Sequence, residues 1–202
     1  MTPGKRILDL VVALALVLLL WPVLLILMAA ALLLEGRPLF YISERMRSPD
    51  EGFGLIKLRT MPVGTGDGGV TGGNKQQKLS RFHRLLRKSR ADELPQLWNV
   101  LKGDISLVGP RPPLRTYVDA YPALYARVLQ SRPGITGLAS LVFADHEGRL
   151  LAACADADET DRVYRRRCIP RKAQLDLIYQ KHRTLCLDLV LIGRTAIKPF
   201  RR

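Results

Sequence analysis

Residues Leu10 to Leu34 form an unbroken run of 25 apolar side chains, bounded by Asp9 and Glu35. At ~1.5 Å per residue a straight helix of that length would reach ~37 Å, enough to cross a hydrocarbon core with some tilt. Lys5 and Arg6 precede the run, but it is too long for the core of a signal peptide and no A-x-A cleavage pattern follows. It reads as a retained membrane element, and the rest of the chain has to fold beside it.

Pro22 lies almost at the middle of the run. Inside a helix, proline removes one backbone hydrogen bond and kinks the axis. Hydropathy alone favours a span. The flanks favour a different shape, because Lys5 and Arg6 on one side and Arg37, Arg45, Arg47, Lys57 and Arg59 on the other both carry the positive bias of cytoplasmic segments. A re-entrant helix bent at Pro22 would return both ends to one side.

Beyond the run, 32 Lys and Arg against 18 Asp and Glu leave a formal charge of +14 on 202 residues. Such an excess suits nucleic acid, anionic lipid headgroups or phosphorylated substrates. The length accommodates one domain plus the membrane element. Cys154, Cys168 and Cys186 are odd in number and lack C-x-x-C spacing, and the histidines are scattered. That pattern points to free thiols in a reducing cytoplasm, away from a disulfide framework or a Cys/His metal site.

Two short apolar-aromatic runs between Pro38 and Met61, separated by S-P-D-E-G, predict a β-hairpin. Lys57 and Arg59 alternate with Ile56 and Leu58, so both cations share one face, either a solvated one or one turned to phosphate. Gly64 to Asn74 is glycine-rich without the G-K-[ST] ending of a P-loop and reads as a flexible loop. Lys75 to Arg90 has helical periodicity, with Leu79, Phe82, Leu85 and Leu86 on one stripe among many cations.

The densest stretch runs from Arg87 to Pro112, R-K-S-R-A-D-E-L-P-Q-L-W-N-V-L-K-G-D-I-S-L-V-G-P-R-P. Pro95 fits only the first turn of a helix and Gly103 supplies a stop, which predicts a helix from about Glu93 to Lys102. Asp92 then falls at or beside the N-cap, where free N–H groups and the helix dipole favour a carboxylate. A carboxylate so placed is either a plain cap or a nucleophile. After Gly103, I-S-L-V predicts a buried strand. Prolines 110, 112 and 113 hold Arg111 with little freedom, as a surface turn residue or as a bidentate phosphate ligand. Arg132, in R-P-G-I-T-G, is a second such candidate with an equal case for stabilising its loop. Ala155 to Asp161 reads as a solvated acidic loop. Lys172 to Ile197 looks helical, lying at headgroup level or packed in the core.

The stretch from Ser89 to Pro112, together with K-L-R-T-M (Lys57 to Met61) and R-P-G-I-T-G (Arg132 to Gly137), resembles the bacterial sugar transferases that act as monotopic phosphoglycosyl transferases. The resemblance implies a mixed α/β, largely helical fold. A re-entrant helix-break-helix would occupy residues 1–36, and a single compact catalytic domain with interfacial amphipathic helices would occupy residues 37–202. That domain would lie on the cytoplasmic face of the bacterial inner membrane. A serine usually precedes the proline of such a helix; Trp21 stands there in this chain.

The resemblance further implies that Asp92 is the nucleophile and Glu93 its partner, with Mg²⁺ held by Asp92 and Glu93. Lys57, Arg59, Arg87, Arg111 and Arg132 would bind phosphate. The implied substrates are a UDP-sugar and undecaprenyl phosphate; membrane lipids are further partners and nucleic acid is not one. A membrane-tethered nucleic-acid-binding module would account for the charge but leaves D-E, G-P-R-P and R-P-G-I-T-G unexplained, and no helix-turn-helix or finger pattern is present. A non-catalytic scaffold is at odds with the intact acidic pair and cation set. Between Leu138 and Pro170 the family pattern fails, and that segment is where sugar choice is expected.

Overall fold

The computed structural model describes residues 1–61 and 79–197. The loop expected at Gly64 to Asn74, the first residues of the helix expected from Lys75, and the cations Lys198, Arg201 and Arg202 lie outside the described residues. The fold is mostly helical with two small sheets, in line with the composition of its motifs.

Helix α1 (Pro3–Glu35) begins under a Thr2 cap with Pro3 in its first turn and stops at Gly36, whose φ of 69° favours glycine. The helix-break-helix expected at Pro22 is corrected here: helical structure continues through the proline. The physical reason is that an interior proline removes a single i→i−4 bond while its neighbours retain theirs, so a kink need not interrupt the helix. Its most apolar 18-residue window has a mean hydropathy of 3.1, and only 6% of that window is buried in the protein. Most of that surface is left uncovered by the described residues, as suits a helix that meets lipid.

Both ends of α1 are tied down. Ala13 enters the main apolar core beside Val12, Leu16 and Val17. Lys5 pairs with Asp188 at 2.7 Å, and Asp9 accepts from the Ser106 hydroxyl (2.7 Å) and the Leu107 amide (3.2 Å). At the other end Glu35 accepts from Ser80, while Arg59 donates to the carbonyls of Glu35 (2.8 Å) and Gly36 (3.2 Å). Orphan carbonyls at a helix C-terminus need such donors.

Strands β1 (Phe40–Met46) and β2 (Gly52–Leu58) form the expected antiparallel hairpin, with Phe40 opposite Leu58 and Met46 opposite Gly52. Helix α2 (Arg81–Ser89) starts at Ser80, whose hydroxyl accepts from the His83 amide. Its buried face is His83 and Leu86; Leu85, expected on the buried stripe, is 61% exposed. Arg90 ends α2 at φ 57°, and a 3₁₀ turn (Ala91–Glu93) leads to α3 (Gln96–Lys102), closed by Gly103 at φ 94°.

Strand β3 (Ser106–Val108) follows, then α4 (Arg115–Ala120), α5 (Pro122–Val128) and strand β4 (Gly134–Thr136), which pairs with β3 in parallel. This pairing brings G-P-R-P against R-P-G-I-T-G. A Cβ on Gly109 would stand 2.1 Å from the Arg132 carbonyl oxygen, and one on Gly137 would stand 2.1 Å from that of Gly109. Only glycine permits two backbones to approach so closely.

The segment beyond Leu138 is helical: α6 (Leu138–Val142), α7 (Ala144–Ala152), α8 (Ala157–Val163), a π-helical turn (Tyr164–Cys168), α9 (Ile169–His182) and α10 (Leu185–Ile197). The acidic loop expected at Ala155 to Asp161 is instead a helix start, with Asp156 accepting from the Glu159 amide at 2.7 Å. Acids there meet free N–H groups and the favourable end of the dipole. The single helix expected over Lys172 to Ile197 is two, broken where Arg183 turns extended at ψ 129°. A second core, containing Met46, Tyr117, Tyr125, Val128 and Ile169, joins the hairpin to α4, α5 and α9.

Candidate active site

Asp92 and Glu93 sit in the 3₁₀ turn, between the left-handed Arg90 and Pro95. The expectation that Asp92 caps the following helix is corrected: the N-cap position is Pro95, and Asp92 lies three residues earlier. The tight turn separates the acids from α3, because Pro95 has no N–H to give to a helical hydrogen bond and so marks the helix start. Asp92 is only 9% exposed, and its carboxyl accepts no hydrogen bond from any described residue. Burial, then the charge of Glu93, pushes it up to about 6 against the pull of Lys57, Arg87 and Arg111.

Glu93 has the opposite environment. Its carboxylate accepts from Arg111 at 3.0 Å and lies 3.8 Å from the Lys57 ammonium and 3.6 Å from Arg90. Burial alone would raise it, but Arg111, Lys57 and Arg90 together hold it at about 2. Two adjacent acids are thus driven apart, which gives them separate roles. Glu93 assembles the cations. Asp92 faces them unengaged.

Of the cations expected to bind phosphate, three converge here. Arg111 reaches Glu93 from the proline-rich turn. Lys57 arrives on β2, with its pKa lowered to about 8 by burial and then by Arg111, so it is still charged at neutral pH. Arg87 hydrogen-bonds Thr60 at 2.9 Å; burial lowers its pKa and the charge of Asp92 offsets that. The other two are not brought to the acids. Arg59 follows β2 with the same parity as Lys57, but its guanidinium goes to the carbonyls of Pro38, Met61, Glu35 and Gly36. Arg132 donates to the Gly103 carbonyl at 2.6 Å, at the far end of α3. Arg6 gives its guanidinium to the carbonyls of Val100 (2.6 Å) and Leu101 (2.8 Å) beside it. Both serve a helix C-terminus, where carbonyls are unpaired and the dipole favours cations.

Sequence reasoning missed Arg45 and Asn99. Arg45 stands opposite Phe53, two residues along β1 from Ser43, which faces Leu55; the face of Phe53 and Leu55 is also that of Lys57. Cross-strand pairing was the signal that could have found it. Burial, then Arg111, lowers its pKa to about 10. Asn99 staples α3 to the hairpin: its amide donates to the Gly54 carbonyl (2.9 Å) and accepts from the Ile56 amide (3.1 Å). That fixes Lys57 relative to the acid turn. The Cys168 thiol, pushed up to about 11 chiefly by burial, is no competing nucleophile.

Among the described residues no group of three or more His, Cys, Asp or Glu could hold a metal ion by itself. The acid pair offers one free carboxyl, Asp92, since both oxygens of Glu93 face cations. Chemically, the arrangement is a buried, unpartnered carboxyl facing fixed positive charge: a site for an anion that carries an electrophilic centre.

The family model for bacterial sugar transferases matches residues 2–202. The chain is 32% identical over 197 residues to a UDP-N-acetylgalactosamine-undecaprenyl-phosphate N-acetylgalactosaminephosphotransferase of Aeromonas hydrophila, covering 95% of the chain and 42% of the relative. It is 43% identical over 142 residues to a UDP-glucose:undecaprenyl-phosphate glucose-1-phosphate transferase of Caulobacter vibrioides (68% of the chain, 53% of the relative). An undecaprenyl-phosphate galactose phosphotransferase of Salmonella typhimurium shares 37% over 125 residues (62% of the chain, 22% of the relative). The chain spans about half the length of the first two of these relatives. With a match that runs almost end to end, this chain belongs to the bacterial sugar transferase family.

Proposed function

We propose that the chain transfers a sugar 1-phosphate from a UDP-sugar to undecaprenyl phosphate, with residues 37–202 as the catalytic domain on the cytoplasmic face of the bacterial inner membrane. The observation that carries this reading is Asp92, a buried carboxyl without a hydrogen-bond partner among the described residues, set against Lys57, Arg87 and Arg111. Both substrates are anionic and one is lipidic. A cation cluster and an uncovered apolar helix on one chain suit that pair.

In the first step an Asp92 oxygen bonds to the β-phosphorus as the bridging bond to the α-phosphate breaks, and UMP leaves with that electron pair. In the second, an oxygen of undecaprenyl phosphate attacks the same phosphorus and the carboxylate departs, leaving undecaprenyl diphosphate sugar. Lys57, Arg87 and Arg111 lie where charge develops on the phosphoryl oxygens, and their positions are fixed before the reaction begins. Mg²⁺ fits one free carboxylate plus substrate phosphates, with Asp92 as its protein ligand in place of an Asp92–Glu93 pair, and would neutralise charge on the diphosphate.

Residues 1–36 are read as re-entrant, and the anchoring of both ends of α1 supports this. Arg6 holds α3, Asn99 of α3 holds β2, and Arg59 just after β2 holds Glu35, each through direct hydrogen bonds. A straight helix of this length would be about 50 Å long, too long for both ends to meet parts that touch one another. A bend at Pro22 resolves the conflict.

The test is the intact mass of the full-length protein after incubation with UDP-sugars and Mg²⁺ but no lipid acceptor. A gain of one phosphosugar with release of UMP is expected, and Asp92→Asn should form no adduct. An adduct that persists in Asp92→Asn, or one mapped to Glu93, would overturn the assignment of the nucleophile.

A further inference from the structure

A cavity of about 200 Å³ opens beside the cation cluster, with Arg45, Lys57 and Arg111 at one wall. The transfer reading assigns these cations to phosphate but leaves the rest of the cavity's lining unexplained. Three features define that lining. Asp176 on α9 is 7% exposed, lines the cavity and accepts no hydrogen bond from any described residue. Lys172, one turn earlier, is fixed by Glu147 at 2.9 and 3.1 Å and lies 3.4 Å from the Tyr164 hydroxyl. Tyr164 and Tyr117 form an aromatic wall with ring centroids 5.1 Å apart, and Tyr164 opens the π-helical turn. Such turns recur at functional sites, where the extra residue re-aims a side chain.

We propose that this cavity is the sugar-recognition subsite, in which Asp176 and Tyr164 bind hydroxyl groups of the hexose carried on the reacting phosphate. The inference rests on the transfer reading above, which brings a phosphosugar to the wall formed by Lys57 and Arg111. A buried carboxyl left without a donor is an acceptor that a bound ligand must satisfy, since an unmet polar group in that position is costly. Sugar hydroxyls supply donors and acceptors together, and the apolar faces of a pyranose suit an aromatic wall. Other occupants fit less well. A lipid tail would bury Asp176 without a hydrogen bond, and an ionised phosphate would bring it acceptors in place of the donors it lacks. A uracil ring has one N–H donor, fewer than the acceptors present. The connectivity agrees as well: in a UDP-sugar the hexose is bonded directly to the phosphorus that Asp92 attacks.

A site built to hydrogen-bond a hydroxyl rejects the epimer that misplaces it more strongly than an apolar pocket can. The consequence is measurable with the full-length protein in detergent or nanodiscs, undecaprenyl phosphate and Mg²⁺. The donors are the epimer pairs UDP-glucose with UDP-galactose, and UDP-N-acetylglucosamine with UDP-N-acetylgalactosamine. Asp176→Leu keeps the branching of the side chain but puts bulkier methyl groups in place of both acceptor oxygens. Tyr164→Phe keeps the ring and removes only the hydroxyl, so it tests the same idea without disturbing the packing.

For each variant, kcat/KM for the preferred donor should fall about ten- to hundredfold, the size of one or two lost buried hydrogen bonds for Asp176 and the lower end of that range for Tyr164. The preference between epimers should shrink in step, while inhibition by UMP stays within twofold of the starting protein. A parallel loss of UMP inhibition would assign the cavity to the nucleotide and overturn the proposal, as would unchanged epimer preference in both variants. If the unaltered protein releases UMP from no UDP-sugar, the transfer reading itself fails. If it releases UMP and the variants keep its epimer preference, only the sugar subsite fails.

Discussion

The base of α1 and the turn at Asp92 both bury charge, and they treat it in opposite ways. At the base every charge is answered: Lys5 meets Asp188, the Tyr179 hydroxyl donates to Asp188 at 2.6 Å, and Asp9 takes two donors. At the turn Glu93 is surrounded by three cations while Asp92, its neighbour in sequence, has no hydrogen-bonding partner among the described residues. Satisfied buried charge holds parts together. Unsatisfied buried charge is tolerated only where something is expected to bind, because leaving it open lowers stability. The contrast therefore separates the architecture from the chemistry within one small protein.

Breaking the satisfied cluster should have the largest effect on stability. Asp188→Ala leaves Lys5 buried without its partner, and the expected loss is about 3–5 kcal/mol. Chemical denaturation in detergent micelles measures it; a loss below 1 kcal/mol would mean that the base of α1 is wetter than its burial indicates.

The unsatisfied acid predicts an effect of opposite sign. The Asp92 pKa is raised from 3.8 to about 6, so the folded state binds its proton more tightly than the unfolded state does. Folding is favoured while Asp92 stays protonated, and that contribution is lost as pH rises from about 4 through about 6. At pH 8 the ionised group costs on the order of 1–3 kcal/mol. Asp92→Asn should therefore be more stable than the starting protein at pH 8 and lack this slope, although it cannot transfer phosphosugar. Thermal unfolding across pH 4–8 follows both proteins, and parallel curves would contradict the unpartnered environment of Asp92.

A smaller effect sharpens the boundary of the site. Arg111→Ala removes a cation that Glu93 holds in place, and activity should fall about ten- to hundredfold, equivalent to about 1.5–3 kcal/mol. Arg84→Ala, at an exposed position on α2, should leave the rate within twofold. Initial rates of UMP release compare them. Equal losses would place the phosphate site elsewhere.

What could be read from the chain alone is what neighbouring residues decide among themselves. The apolar run, the hairpin between Pro38 and Met61, the stop at Gly103 and the buried strand after it all follow from local steric and hydrophobic rules, and each is present. The convergence of Asp92, Glu93, Arg87 and Arg111 was expected only through the resemblance to the sugar transferases, because local rules left Asp92 as a cap or a nucleophile and Arg111 as a turn residue or a phosphate ligand. Tertiary structure decided where long side chains end. Arg59 shares the strand parity of Lys57, yet it turns to the end of α1, and Arg132 leaves its glycine-rich turn for the Gly103 carbonyl. Helix ends with unpaired carbonyls attract whichever guanidinium can reach them, and that reach depends on packing that no local pattern encodes. Lys5 finds Asp188 across 183 residues, and Asp176 lines a cavity to which the hairpin contributes Arg45 and Lys57. Those meetings depend on how α1, α9 and α10 pack around β3 and β4, so the sequence could supply the groups but not their partners.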